Sequence, residues 1–220
     1  MQRLVCAAAL PMPQRSQKFV PLIALAALLA SAAASAQPQW TQDPGVQRRL
    51  TEGEVVVETA PAADSVRPHG RIRAAVLIRA QPEAVWKVMT DCRQTLEFVP
   101  GLKSCRRVDG GPDGRWEDFE QEMHYAWYLP MVRYVFRADY DRPRRIDFHR
   151  LSGDLKEEEG TWVLTPTADG AATVVEYEMY VEPGFWIPQA LVSHTLRKDA
   201  PAVLSGLRQC VERPPKAPPE

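Results

Sequence analysis

Apolar positions recur every three to four residues most clearly in the last long stretch of this 220-residue chain, Pro188 to Val211. Wound at about 100° per residue, it puts Val192, Leu196, Ala200, Val203, Leu207, Cys210 and Val211 on one face. Arg197, Ser205, Arg208, Gln209 and Glu212 fall on the other side. A helix of that length spans roughly 36 Å, enough to cross a small sheet. Pro201 within it removes a backbone donor and predicts a bend or break.

Upstream the period changes to two. Residues 54–59 (EVVVET) and 71–80 (RIRAAVLIRA) predict strands, the second with Ile72, Ala74, Val76 and Ile78 on one face. Pro82 suits the first position of a helix carrying Val85, Val88 and Met89, and a second short helix or turn follows over 93–99. A meander is then expected over 102–109, 116–127, 131–140, 145–150, 160–165 and 173–181. One face of it carries Phe119, Gln121, Met123, Tyr125 and Trp127, then Val132, Tyr134, Phe136, Ala138 and Tyr140, and finally Val175, Tyr177, Met179 and Val181. The opposite face sets Asp118, Glu120 and Glu122 against Arg133 and Arg137; it reads as a solvated outer face whose ion pairs contribute a few tenths of a kcal/mol each.

The two ends read differently. Arg3, Arg15 and Lys18 precede an apolar run, Phe19 to Ala30, and small residues lead to Ala34-Ser35-Ala36. This predicts a signal peptide over 1–36, its apolar run short of the ~20 residues of a membrane span, with Met1 or Met12 as the start; the alternative is an uncleaved anchor. Residues 37–50 carry prolines without periodicity and read as a linker or loosely packed arm, 51–212 as the domain, and 213–220 as a Pro-rich tail. Without the three basic residues of the leader, 24 Lys+Arg face 28 Asp+Glu, a net charge of −4. That argues against nucleic acid as a partner. Export to a periplasmic or secreted location permits disulfides, and Cys92 and Cys105 are close enough in sequence to close one worth ~3 kcal/mol; the alternative is two free core thiols.

The order of elements resembles the helix-grip fold of the START-like (SRPBCC) superfamily, and within it the polyketide cyclase/dehydrase and coenzyme Q-binding group. IRAQPEAVWKVMTDCRQTLEFVPGLKSC (78–105) is similar to that group's strand end, Pro, Val-Trp, helix-closing Asp and Phe-x-Pro-Gly. EEGTWVLTPTADGAATVVEYEM (158–179) is similar to its Gly-x-Trp strand and hairpin. The resemblance implies an α+β architecture, a curved antiparallel sheet wrapped round a long C-terminal helix with two short helices after the first strands. It also implies an internal apolar cavity. The inward positions expected to line that cavity are Phe119, Gln121, Met123, Tyr125, Tyr134, Phe136, Trp162, Tyr177, Met179, Val192 and Leu196.

Candidate chemistry is sparse. There is no G-x-S-x-G elbow, P-loop or G-x-G-x-x-G loop. His69, His124, His149 and His194 are scattered without metal-ligand spacing, so no metal and no cofactor is expected. The expected inner face offers Gln121 and four tyrosines but no carboxylate or imidazole, so no catalytic residue is assigned. Alternate loops of a meander share one end, which gathers 98–102, 126–131, 151–158 and 183–188. Trp127, Leu129, Phe185 and Trp186 make that end apolar, either packed over the barrel or open as an entrance that touches a membrane surface. The leading expectation is an exported binding or carrier protein for a hydrophobic or amphipathic small molecule, lipid- or quinone-like. The alternatives are a cyclase/dehydratase-type enzyme on a polyketide-like substrate and a protein-binding domain with a packed core. A cavity of several hundred Å³ would favour the first two, and a buried carboxylate lining it the enzyme.

Overall fold

The computed structural model describes residues 40–58, 71–125 and 129–213. The expected leader, residues 37–39, the 60–70 loop with His69, Trp127 and the tail from 214 lie outside the described residues.

Among the described residues eight strands form one antiparallel sheet: β1 (Val56–Glu58), β2 (Arg71–Ile78), β3 (Leu102–Gly110), β4 (Trp116–Met123), β5 (Val132–Asp141), β6 (Arg145–Gly153), β7 (Leu155–Pro166) and β8 (Thr173–Pro183). Their order is β1-β2-β8-β7-β6-β5-β4-β3. Strands β3 to β8 are a meander, and β8 returns beside β2. Helices α2 (Pro82–Met89) and α3 (Cys92–Phe98) link β2 to β3. Pro82 opens α2, and the Asp91 carboxylate caps α3 by accepting from the Arg93 N–H. The last element is α4 (Gln189–Glu212), which lies along the inner face against β2, α2 and α3.

Burial follows the expected periods. Ile72, Ala74, Val76 and Ile78 of β2 join Val192, Leu196, Ala200, Val203 and Leu207 of α4 in the main core. Leu204, at the edge of the expected stripe, is fully buried with them. The helix runs unbroken through Pro201, so the break that the proline made possible does not occur. Packing on three elements holds the turn whose hydrogen bond the proline forfeits. Gly206 lets α4 sit directly on α3, since a Cβ there would lie 2.9 Å from the Phe98 carbonyl oxygen.

Three boundaries depart from the expectation. First, the supposed arm over 37–50 contains a helix, α1 (Pro44–Thr51), preceded by a short turn over Trp40–Gln42. Asp43 caps it, accepting from the N–H groups of Gly45 and Val46, and Pro44 occupies its first turn. Val46 and Leu50 cover Val56 and Ala75, with Leu77 and Val174 alongside. Strand β2 is therefore apolar on both faces, and α1 supplies the cover its second face needs. Second, the stretch 151–158 is not a loop: β6 runs to Gly153 and β7 begins at Leu155. Gly153, at φ 109°, makes the turn, and the following Asp154 accepts from the Arg133 N–H at 2.8 Å. Third, β4 ends at Met123 rather than Trp127.

The outer face carries the expected ion pairs. Arg137 meets Asp118 at 2.8 Å and Arg133 pairs with Glu122, while Glu120 is met by neither of these but by Arg106 of β3 at 2.9 Å. This face is not uniformly solvated, because Asp118 is only 6% exposed. The Arg137 guanidinium covers it while lying 3.8 Å over the Trp116 ring.

Candidate functional site: an apolar cavity with a buried carboxyl

The concave face of the sheet, α2–α3 and α4 enclose a cavity of about 170 Å³. Its walls follow from the period-two alternation of β4 to β8, which turns the aromatic and methionine positions inward. Phe119, Gln121, Met123, Tyr125, Tyr134, Phe136, Trp162, Tyr177, Met179 and Leu196 all line it. Val192 does not; one turn nearer the helix start, it lines a second apolar cavity of about 50 Å³. Leu129 and Phe185, expected at the rim, line that smaller space too, together with Ile187 and Leu191. Trp186 turns away and is 87% exposed. Tyr125 and Leu196 line both cavities and form the partition between them.

The aromatic rings make a continuous wall. Trp162 stacks on Tyr177 at 4.0 Å between centroids, Tyr177 lies 6.4 Å from Phe148, and Phe148 lies 6.2 Å from Phe136. Gly160 leaves space for this wall, since a Cβ there would lie 2.3 Å from the Phe148 ring.

The inner surface also carries carboxyl groups, contrary to the expectation from sequence. Glu158 of β7 and Asp199 of α4 both line the larger cavity. Glu158 is 5% exposed, and its Oε2 has no hydrogen-bond partner. Loss of water raises its pKa to about 8, against the nearby Tyr134 hydroxyl and the field of Arg150, which act to lower it. Burial thus favours the uncharged acid over the carboxylate at this position. Desolvation raises Asp199 as well, and pushes Tyr125, Tyr134 and Tyr177 above the ordinary phenol range. The Tyr134 hydroxyl donates to Gln121 Oε1 at 2.9 Å, and the Tyr177 hydroxyl meets Met179 Sδ at 2.7 Å.

Glu158 escaped the sequence reading because it stands in an acidic run, LKEEE, assigned to a loop. Counting back in twos from Trp162 through Gly160 reaches it; the usable signal was strand phase, not residue type. Asp199 lies beside Leu196 and Ala200 on the helix face and was overlooked among its apolar neighbours.

Cys92 and Cys105 are disulfide-bonded, their Cα atoms 5.3 Å apart, and both line the cavity where α3 meets β3. Cys210, on α4, is half-buried and free. His149 and His194 are exposed, and His124 is half-buried beyond the end of β4. Among the described residues no three His, Cys, Asp or Glu side chains are grouped to hold a metal ion. None of the described helices is long and apolar enough to cross a membrane.

An antiparallel sheet gripping a long C-terminal helix over an apolar cavity defines the helix-grip, START-like class of proteins. Residues 78–208 match the family of polyketide cyclases/dehydrases and lipid-transport proteins, and the chain belongs to that family. Solved structures agree on the fold. A STAR-related lipid transfer protein from Xanthomonas axonopodis superposes with a TM-score of 0.61 at 17% identity, over 72% of this chain and 99% of that one. The human StarD13 lipid transfer and protein localization domain gives 0.59 at 12% identity, over 76% and 95%. The Zhui aromatase/cyclase from Streptomyces gives 0.55 at 16% identity, over 67% and 96%. No curated protein sequence matches the chain.

Proposed function

We propose that this is an exported binding or carrier protein for a hydrophobic or amphipathic small molecule held in the internal cavity, periplasmic or secreted after loss of residues 1–36. The observation that carries the reading is the cavity itself, walled by stacked aromatic rings and aliphatic side chains. Burying a ligand's apolar body there contributes roughly 25 cal/mol per Å². The cavity, about 170 Å³, is smaller than the several hundred Å³ of a drug-sized site. As it stands it accommodates about one substituted ring. A longer, lipid- or quinone-like ligand needs Tyr125 and Leu196 to move aside and join the second cavity.

Glu158 supports a second reading, a cyclase/dehydratase-type enzyme. A carboxyl in an apolar cavity with its pKa raised to about 8 suits general acid–base chemistry near neutrality.

Native mass spectrometry of protein purified from a bacterial periplasm, with extraction of the bound material, tests the carrier reading. Toluene, an uncharged apolar ring of the size the cavity holds, supplies a second measure by titration calorimetry. A co-purifying apolar molecule and saturable toluene binding are expected; an apo mass with no toluene binding would overturn the reading. Turnover of a poly-β-keto thioester that is lost in Glu158→Gln would instead select the enzyme.

A further inference from the structure

We propose that the larger cavity is a site for a hydrophobic amine, its nitrogen seated against Glu158 and its apolar body against the aromatic wall. The inference rests on the cavity being a ligand site and goes on to say what charge it selects.

Four observations converge. Glu158 Oε2 is buried and unpartnered on a side chain that faces the cavity. An orphaned buried carboxyl oxygen costs stability unless something occupies it. Asp199 provides a second carboxyl on the same lining, and both groups lie within electrostatic range of the Tyr125 and Tyr177 hydroxyls. Among the described residues that line the cavity there is no Lys, Arg or His. Arg150 lies close enough to influence Glu158 but is not part of the lining, and its Nη2 is held by the Gly153 carbonyl at 2.9 Å. Finally, Trp162, Tyr177 and Phe148 form a ring wall, and ring faces attract cations.

Each candidate head group meets a different environment. A carboxylate or phosphate finds two carboxyls and no cation on the lining, although Arg150, whose buried Nε has no partner, acts on Glu158 from outside it, and Lys198 and His194 act on Asp199. An alcohol or ketone satisfies Oε2 but gains nothing from Asp199 or the ring faces. An ammonium supplies several donors and is attracted by all three. Desolvation does not forbid it: an amine that arrives uncharged takes the Glu158 proton onto its lone pair, and the ion pair forms inside. The volume, about 170 Å³, sets the body at about one ring with a short chain.

Titration calorimetry of the purified protein with 3-phenylpropylamine, 3-phenylpropanol and 3-phenylpropanoate tests this, because the three share a body and differ in the head group. The amine is expected to bind at least tenfold tighter than the alcohol, and the carboxylate weakest. In Glu158→Gln the amine should lose most of its advantage over the alcohol, keeping only what Asp199 and the ring faces contribute. Equal or tighter binding of the alcohol or carboxylate overturns the inference, and this comparison needs only the wild-type protein should the variant not fold. Toluene binding with none of the three compounds bound also overturns it while leaving the cavity reading intact; failure of toluene as well removes both.

Discussion

Trp162 and Tyr177 are directly paired across β7 and β8, and their rings stack 4.0 Å apart at 24° on the inner face. Cross-strand pairing fixes the spacing of the Cβ atoms, and the stack joins two strands into one wall of the cavity. Trp162→Ala should destabilise the domain by about 2–3 kcal/mol, below the cost for a fully buried indole because this one is half-buried. Trp162→Phe, which keeps a ring on Tyr177, should cost less than about 1.5 kcal/mol. Urea denaturation checks both, and equal losses would show that the stack contributes nothing specific.

Glu158 makes stability depend on pH in a defined direction. Its carboxyl is pushed from an ordinary 4.5 up to about 8 in the folded protein, so between those values the unfolded chain releases a proton that the folded chain keeps. Stability from this group is complete below pH 4.5 and is lost as pH rises through 8. Asp199 and Glu176, also raised by burial, act in the same sense. In Glu158→Gln the fall in melting temperature between pH 5 and 8 should be shallower than in wild type, with the variant gaining at pH 8. Parallel curves would contradict the assignment.

Asp118 and Glu120 stand two residues apart on β4, each paired with an arginine, but Asp118 is 6% exposed while the Glu120 side chain is 32% exposed. Removing the carboxylate of a covered pair leaves the guanidinium without its partner, whereas an exposed pair contributes little. Asp118→Asn should cost about 1–3 kcal/mol, and Glu120→Gln under about 0.5 kcal/mol. Chemical denaturation of the two variants side by side decides whether burial, rather than the presence of a salt bridge, sets the value.

The Cys92–Cys105 bond closes a short loop around α3 and fixes one end of the cavity. Replacing both cysteines by alanine should lower stability by about 2–4 kcal/mol. Mass mapping without reductant should recover the two peptides joined. Alkylation of both thiols in unreduced, unfolded protein would exclude the bond in solution.

Trp186 is 87% exposed beside Phe185 and Ile187, which line the smaller cavity. An exposed indole next to an apolar opening suits a membrane interface. Trp186→Ser should reduce association with liposomes without altering the melting temperature; unchanged association would leave the residue as a solvent-exposed loop tip.

The alternation of β4, β5, β7 and β8 and the helical stripe of α4 determined most of the cavity wall, because each period is local and the apolar side must be buried somewhere. Gln121 and Tyr134, single polar residues among inward positions, were legible for the same reason. Tertiary structure decided what periodicity cannot. Residues 37–50 read as a linker or loosely packed arm until the second apolar face of β2, with Ala75 and Leu77, requires a cover. Val192 faces inward as expected, but the partition of Tyr125 and Leu196 assigns it to the smaller cavity. Glu158 most clearly separates the two. Its character depends on whether an acidic run is loop or strand, which was settled by pairing with β8, more than twenty residues away. Once paired, phase turned one glutamate of three inward, and the loss of water there raised its pKa. The sequence by itself fixed which side chains are available and with what period; only the assembled sheet decided which carboxyl the cavity encloses.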